Sequence, residues 1–296
     1  MDEQLIAKDE AQTSKAKAKP DLATIAGVLI ALVGILGGLL IEGGKLRDIL
    51  QMTAAMIVLG GTIGAVMVST PMHVLLGAVR RFKGVLLDDT LPNHALVEEL
   101  IGYATKARKQ GLVSLEQQAL EIKDPFLSKG LNLAVDGTDI QEIRKMLELE
   151  IDLQEAHADA EARVFENAGG YAPTVGIIGA VLGLIQVMKN LANIEEVGHG
   201  IAVAFVATIY GVGVANLLFL PAATKIKTRA RMETHRRELI VEGICGIVEG
   251  LNPKLIRQKL EAFTLGMPEP KKAPQPKKTP EPESAPQAES PVDAEA

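Results

Sequence analysis

The chain is 296 residues long and 47% hydrophobic, yet aromatics make up only 3% and Trp is absent. That balance speaks against an ordinary water-soluble core and for membrane helices built from Leu, Ile, Val, Ala and Gly. The single Cys245 excludes an internal disulfide and any cysteine-based metal cluster. The formal net charge of −6 is uninformative, because the acidic residues concentrate outside the apolar runs.

Residues 1–20 are polar and Lys-rich, with Lys15, Lys17 and Lys19 just ahead of the first apolar run. A disordered N-terminus without a cleavable signal is expected there. Residues 22–41 carry no charge and predict a first spanning helix, since roughly 20 residues at 1.5 Å rise cross roughly 30 Å of hydrocarbon. Residues 50–69 predict a second, closed by Pro71, with Gly60 and Gly64 as a small-residue packing face. The hairpin thus occupies residues 21–71.

Residues 72–170 predict a soluble, all-helical domain. Asn93–Gln110 has helical periodicity and Gly111 as its stop. Ser114 with Gln117, and Thr138 with Gln141, read as capping boxes, and Asp124-Pro125 as a break between helices. A long charged helix then runs to about Asn167, with Gly169-Gly170 as a flexible join.

Residues 171–188 and 201–220 predict spans three and four, together forming the segment 171–221. Both are rich in small and polar residues. Pro173 opens the first, and Gly179 and Gly183 form a GxxxG pair that lets backbones approach closely. The second carries Thr208, Tyr210 and Asn216 and ends at Pro221. Thr208 and Tyr210 can offer hydroxyls to a passing ion or simply bond across helices. Each proline is a hinge or a helix boundary.

Beyond Pro221 the pattern from Ala222 to Glu249 stays helical, with Gly243 its first breaker, so the fourth span extends into the cytoplasm; Gly250-Leu251-Asn252-Pro253 ends it and a short helix follows, so residues 222–265 form C-terminal helices. Residues 266–296 are rich in Pro, Ala, Glu and Lys and predict a disordered tail. The fold class expected is therefore all-α: four transmembrane helices with a helical domain between the second and third. Basic residues flank the first helix, the second (Arg80, Arg81, Lys83) and the fourth (Lys225, Lys227, Arg229, Arg231). The positive-inside rule then places both termini and residues 72–170 in the cytoplasm. The basic run at 225–237 reads as a topology signal and lipid headgroup contact, not a nucleic-acid site.

No enzymatic constellation, metal cluster or cofactor motif stands out, and the five His residues are scattered. The four apolar runs contain no ionisable carboxylate or base. Ion paths through membranes use such groups, so if ions pass, another chain must supply the carboxylate.

The arrangement resembles the MotA/PomA family of flagellar stator subunits. The resemblance rests on the span order and on three runs: Ala172-Pro173-Thr174-Val175-Gly176-Ile177-Ile178-Gly179-Ala180-Val181-Leu182-Gly183-Leu184, Ala207-Thr208-Ile209-Tyr210-Gly211 and Gly250-Leu251-Asn252-Pro253. It covers about residues 22–263. It implies a homo-pentamer around two copies of a single-span MotB-type partner that brings the ion-binding Asp. Ion passage would turn the pentamer, which pushes the rotor protein FliG. Pro173, Ala180, Thr208, Tyr210 and Pro221 would then belong to the ion path and its coupling. Arg108 and Glu116 match the family's rotor-contacting charges, and Lys109 an additional basic one. A further acidic position of some members is Ala119 here. Sodium-type members carry Thr where this chain has Ala180, which implies H+ over Na+. The rival readings are an ExbB/TolQ-like proton-driven transducer, a class that typically has three spans, and a non-conducting membrane scaffold.

Overall fold

The computed structural model describes residues 19–85, 87–88 and 93–263. Of the termini expected to be disordered, residues 1–18 and 266–296 lie outside the described residues, whereas Lys19–Pro20 form a paired strand. All ten α-helices among them belong to one unit. Four are long and apolar enough to cross a membrane: α1 (Leu22–Ile41), α3 (Met52–Ser69), α8 (Ile140–Lys189) and α9 (Ile194–Val248).

Asp21 caps α1 by accepting from the Thr24 amide (3.1 Å). Just before it, β1 (Lys19–Pro20) pairs antiparallel with β2 (Leu87–Asp88), a two-residue bridge. A one-turn helix, α2 (Leu46–Ile49), fills the link to α3, so the second span starts at Met52, two residues later than expected. Its packed face is Ala54, Val58, Thr62 and Val66. Gly60 and Gly64, expected to pack, face open space; Gly61 instead meets Val175. The 54/58/62/66 row is one i, i+4 ridge, and Gly60 and Gly64 lie off it. A π turn at Met56–Gly60 interrupts the ladder of α3.

After α4 (Met72–Val85), the soluble domain is built from α5 (Asn93–Gln110), α6 (Glu116–Glu121) and α7 (Pro125–Val135). Gly111 ends α5 with φ +81°. Ser114 does not cap α6: it sits in a 3-10 turn, Leu112–Leu115, and its hydroxyl donates to the Gly111 carbonyl (2.6 Å). Asp124 caps α7, with Pro125 at the first helical position. The cap of α8 is Asp139, one residue past Thr138, accepting from the Gln141 amide (2.9 Å).

Two findings recast the expected organisation. First, α8 runs unbroken for 50 residues through Gly169, Gly170 and Pro173, so there is no join at Gly169-Gly170 and Pro173 is internal. At 1.5 Å per residue it is about 75 Å long, far more than a membrane's hydrocarbon core. Second, while α9 runs to Val248 as expected, α10 (Pro253–Ala262) folds back beside it. Gly243 is a packing site: a Cβ there would lie 2.8 Å from Leu100. The regions 72–170 and 222–265 therefore share one core. Leu100, Leu115, Leu127, Leu131, Ile143 and Leu147 close on Leu239, Ile240, Ile244, Ile256 and Leu260. Gly250 (φ +68°) ends α9, Asn252 caps α10 through the Lys254 amide (3.0 Å), and Pro253 starts it.

Candidate functional site: the paired long helices

Within the membrane α8 and α9 pack through small residues. Ala172, Gly176, Gly179 and Gly183 of α8, spaced by four, three and four, are buried, as are Gly200, Ala204, Ala207 and Gly211 of α9. The two rows meet antiparallel. A Cβ on Gly211 would lie 2.5 Å from the Ala172 carbonyl oxygen, and one on Gly183 would lie 2.8 Å from that of Gly200. A Cβ on Gly176 would come within 3.0 Å of the Ala207 carbonyl oxygen and 3.5 Å of Thr208 Cα. The obstructing atoms are mostly backbone, so any side chain at these positions must push the helices apart. Gly179 and Gly183 thus sit where the sequence places them, inside a longer ladder than the GxxxG pair alone.

Thr208 flanks this seam half-buried, its hydroxyl donating to the Ala204 carbonyl one turn back (3.2 Å). Ala180, beside Gly179, is half-buried, and no hydroxyl is available at that position. Of the two roles open to Tyr210, the structure shows a bond to another element. Its hydroxyl donates to the Ile49 carbonyl (2.6 Å) and accepts from the Gln51 amide (3.3 Å). It thereby clamps α9 to the loop that starts α3, which spacing alone could not reveal because the partners are some 160 positions apart.

The prolines stand near each other across the seam. Pro173 deprives the Gly169 carbonyl of its helical donor. A Cβ on Gly169 would lie 2.6 Å from the Leu220 side chain, next to Pro221. Ahead of Pro221, Ala215–Phe219 forms a π turn. Backbone bonding is therefore loosened in both helices at one level, which permits bending there. The spans contain one buried hydroxyl that sequence reasoning missed, Thr62, whose Oγ1 has no partner among the described residues.

At the membrane boundary the basic run is largely engaged within the chain. Lys225 pairs with Asp21, Lys227 with Glu166 (2.8 Å), and Arg229 with Asp21 (3.6 Å). The Lys225 ammonium and the Thr24 amide hold the Asp21 carboxyl at about 2, well below the usual carboxylate range. Lipid headgroup contact, expected of the whole run, is open mainly to the exposed Arg231.

Arg108, Lys109 and Glu116 lie far along the fold, all three exposed on the soluble domain. Arg108 and Lys109 are in the last turn of α5 and Glu116 in the first turn of α6, either side of the Gly111 stop. Their charges form no ion pair within the described residues. Ala119 is fully buried, and its carbonyl accepts from Ser128 Oγ (2.7 Å), so an acidic side chain there would face the core. Two ion-pair groups brace the domain behind this face. Glu242 accepts from Lys259 (2.8 Å) and Arg144 (3.0 Å), which holds its carboxyl below the usual range. Arg257 grips Glu98 with both guanidinium nitrogens and does the same to it. Among the described residues no group of three His, Cys, Asp or Glu could hold a metal ion.

Two family models match, the Motility protein A N-terminal region at residues 25–111 and the MotA/TolQ/ExbB proton channel family at residues 118–239. The chain is 34% identical to Motility protein A of Bacillus subtilis, across 81% of this chain and 89% of that protein. It is 31% identical to the chemotaxis protein PomA of Vibrio alginolyticus, across 82% and 95%. Among solved structures, the C. jejuni MotAB structure matches with a TM-score of 0.81 at 32% identity, covering 84% of this chain and 98% of that one. The flagellar MotAB stator complex of Bacillus subtilis matches at 0.76 and 33% identity, covering 81% and 95%. The N-terminal match includes most of the leading hairpin, which separates this chain from an ExbB/TolQ-like transducer. The four spans and these relatives make it a multi-pass inner-membrane protein, and the chain belongs to the Motility protein A family as a flagellar stator subunit.

Proposed function

We propose that this chain forms an ion channel with a MotB-type single-span partner and converts inward proton flow into torque on the rotor. The carrying observation is a contrast within the α8–α9 pair. Its spans are tightly packed, hydroxyl-bearing and hinged, yet hold no ionisable carboxylate. An ion path needs that group, and a partner Asp brought against Thr208 would supply it. Five copies surround two partner chains, and both termini face the cytoplasm. Each elementary charge crossing about 100 mV releases about 2.3 kcal/mol, enough to bias a hinge at Pro173 and Pro221. The unbroken α8 carries that motion to the soluble domain, where the unpaired Arg108, Lys109 and Glu116 face FliG. The chain needs no cofactor for this and acts as a channel and transmission subunit, not an enzyme. Ala180 favours H+, since one hydroxyl fewer leaves less oxygen to replace sodium's hydration.

The test is swimming speed in a stator-deleted host carrying this chain with its own partner. Motility should survive sodium withdrawal and collapse with a protonophore. Motility that tracks sodium overturns the ion assignment. Correct membrane assembly without motility overturns the coupling.

A further inference from the structure

We infer that Asp21 is a positioning residue for torque transmission, tying the start of the first span to α9 one turn beyond Pro221 so that both move as one body. The inference rests on the stator reading above. Within one copy of the chain α1 has no buried residue, and Leu29 and Ile30 are 56% and 72% exposed. Just ahead of α1, Lys19–Pro20 pair with Leu87–Asp88 beyond α4, and Asp21 makes the tie to α9. The Asp21 side chain is only 12% exposed and is ion-paired to Lys225. Arg229 approaches the same carboxylate oxygen, and Lys225 also donates to Thr24 Oγ1 (3.0 Å).

The knot reaches further helices. Arg229 donates to the Gly84 carbonyl near the end of α4. Lys227 pairs with Glu166 of α8, and Arg81 of α4 pairs with Glu161 of α8. Lys225 and Arg229 lie four and eight residues beyond Pro221, on the far side of the π turn Ala215–Phe219. A bend at the proline level therefore carries α1 and α4 with the outer part of α9. Without the Asp21 carboxylate, two cations would be left sharing no anion at a poorly screened site, and α1 would lose its hold on the moving helix.

The test uses the full chain with its MotB-type partner in a stator-deleted host. Rotation torque at high load and membrane abundance are measured for Asp21→Lys, Lys225→Asp and the double reversal. Each single reversal should lower torque at least about twofold at unchanged abundance, and the double should recover most of it, because the pair is restored with its sign exchanged. Wild-type torque in Asp21→Lys, or a double reversal no better than the singles, overturns the inference. If the single variants fail to reach the membrane, an Asp21→Cys/Lys225→Cys pair bridged by a short, reducible bis-methanethiosulfonate decides; the native Cys245 is buried and does not compete. Torque kept in the bridged state supports a fixed tie. Torque lost on bridging and regained on reduction shows that the two groups must part, and overturns it. A wild-type chain that drives no rotation sinks the stator reading and this inference with it, whereas a motile wild type with indifferent variants sinks the inference alone.

Discussion

The two halves of this molecule bury opposite kinds of residue. In the soluble domain the core is closed by large, fully buried side chains, Leu100, Leu115, Leu127, Leu131, Leu147, Ile240, Ile244 and Leu260, with small ones such as Ala119 between them. Between the spans they are Ala, Gly and Val, while Ile177, Ile178, Val181 and Leu184 point outward. The same helices, α8 and α9, do both along their length. Water drives large apolar surfaces together, whereas lipid tails compete equally for them, so only close backbone approach holds helices there. The teaching is that one helix can change its packing rule as it crosses from one solvent to the other.

Four substitutions or conditions would break or sharpen that contrast. The largest effect is expected in the soluble core. Leu147→Ala should cost about 2–5 kcal/mol, read by thermal unfolding of the detergent-solubilised chain, because a cavity opens in a core held by area. Next comes Gly211→Val, expected to cost about 1–3 kcal/mol by overpacking and to abolish motility at normal membrane abundance. Its added methyls meet the Ala172 carbonyl, which cannot turn aside as a side chain would. An Ala at position 147 that is tolerated while Val at 211 is ruinous would reverse the order and undermine the two-solvent account.

Tyr210→Phe should cost on the order of 1 kcal/mol, since the Ile49 carbonyl and Gln51 amide lose a partner. Slower motility with unchanged ion selectivity would confirm a clamp, and a changed selectivity would return Tyr210 to the ion path. The smallest effect concerns pH. Glu242 has a folded pKa below its unfolded one, so its contribution is fully present above the unfolded carboxylate value of about 4.3 and is lost as pH falls through the folded value. Glu242→Gln should therefore lower the unfolding temperature at neutral pH and converge on wild type only once the pH has fallen below the depressed folded value. A difference that persists in acid would show that Glu242 acts by packing instead of charge.

Several expectations failed for identifiable reasons. Gly169-Gly170 read as a join and Pro173 as a hinge or a boundary, yet α8 runs through all three. Their propensity costs, about 1 kcal/mol for each Gly and about 3 for Pro, are outweighed because Ala168, Gly169 and Ala172 are buried within the helix assembly. Gly60 and Gly64 satisfy the small-xxx-small spacing as well as Gly179 and Gly183 do. Only one pair faces another helix of the same chain, and the spacing does not say which face is turned toward it. The basic run after Pro221 suggested lipid contact because its acidic partners, Asp21 and Glu166, are remote in the chain.

The sequence by itself determined the four spans, the all-helical class, the stops at Gly111 and Gly250 and the small-residue character of the last two spans. These follow from local length, hydropathy and backbone preference, which act within a few turns of chain. The tertiary structure alone decided that residues 72–170 and 222–265 share a core, that Tyr210 clamps a loop, and that Asp21 ties the start of α1 to α9. Each of these depends on which residues meet across more than a hundred positions, and that is set by the packing of whole helices against one another.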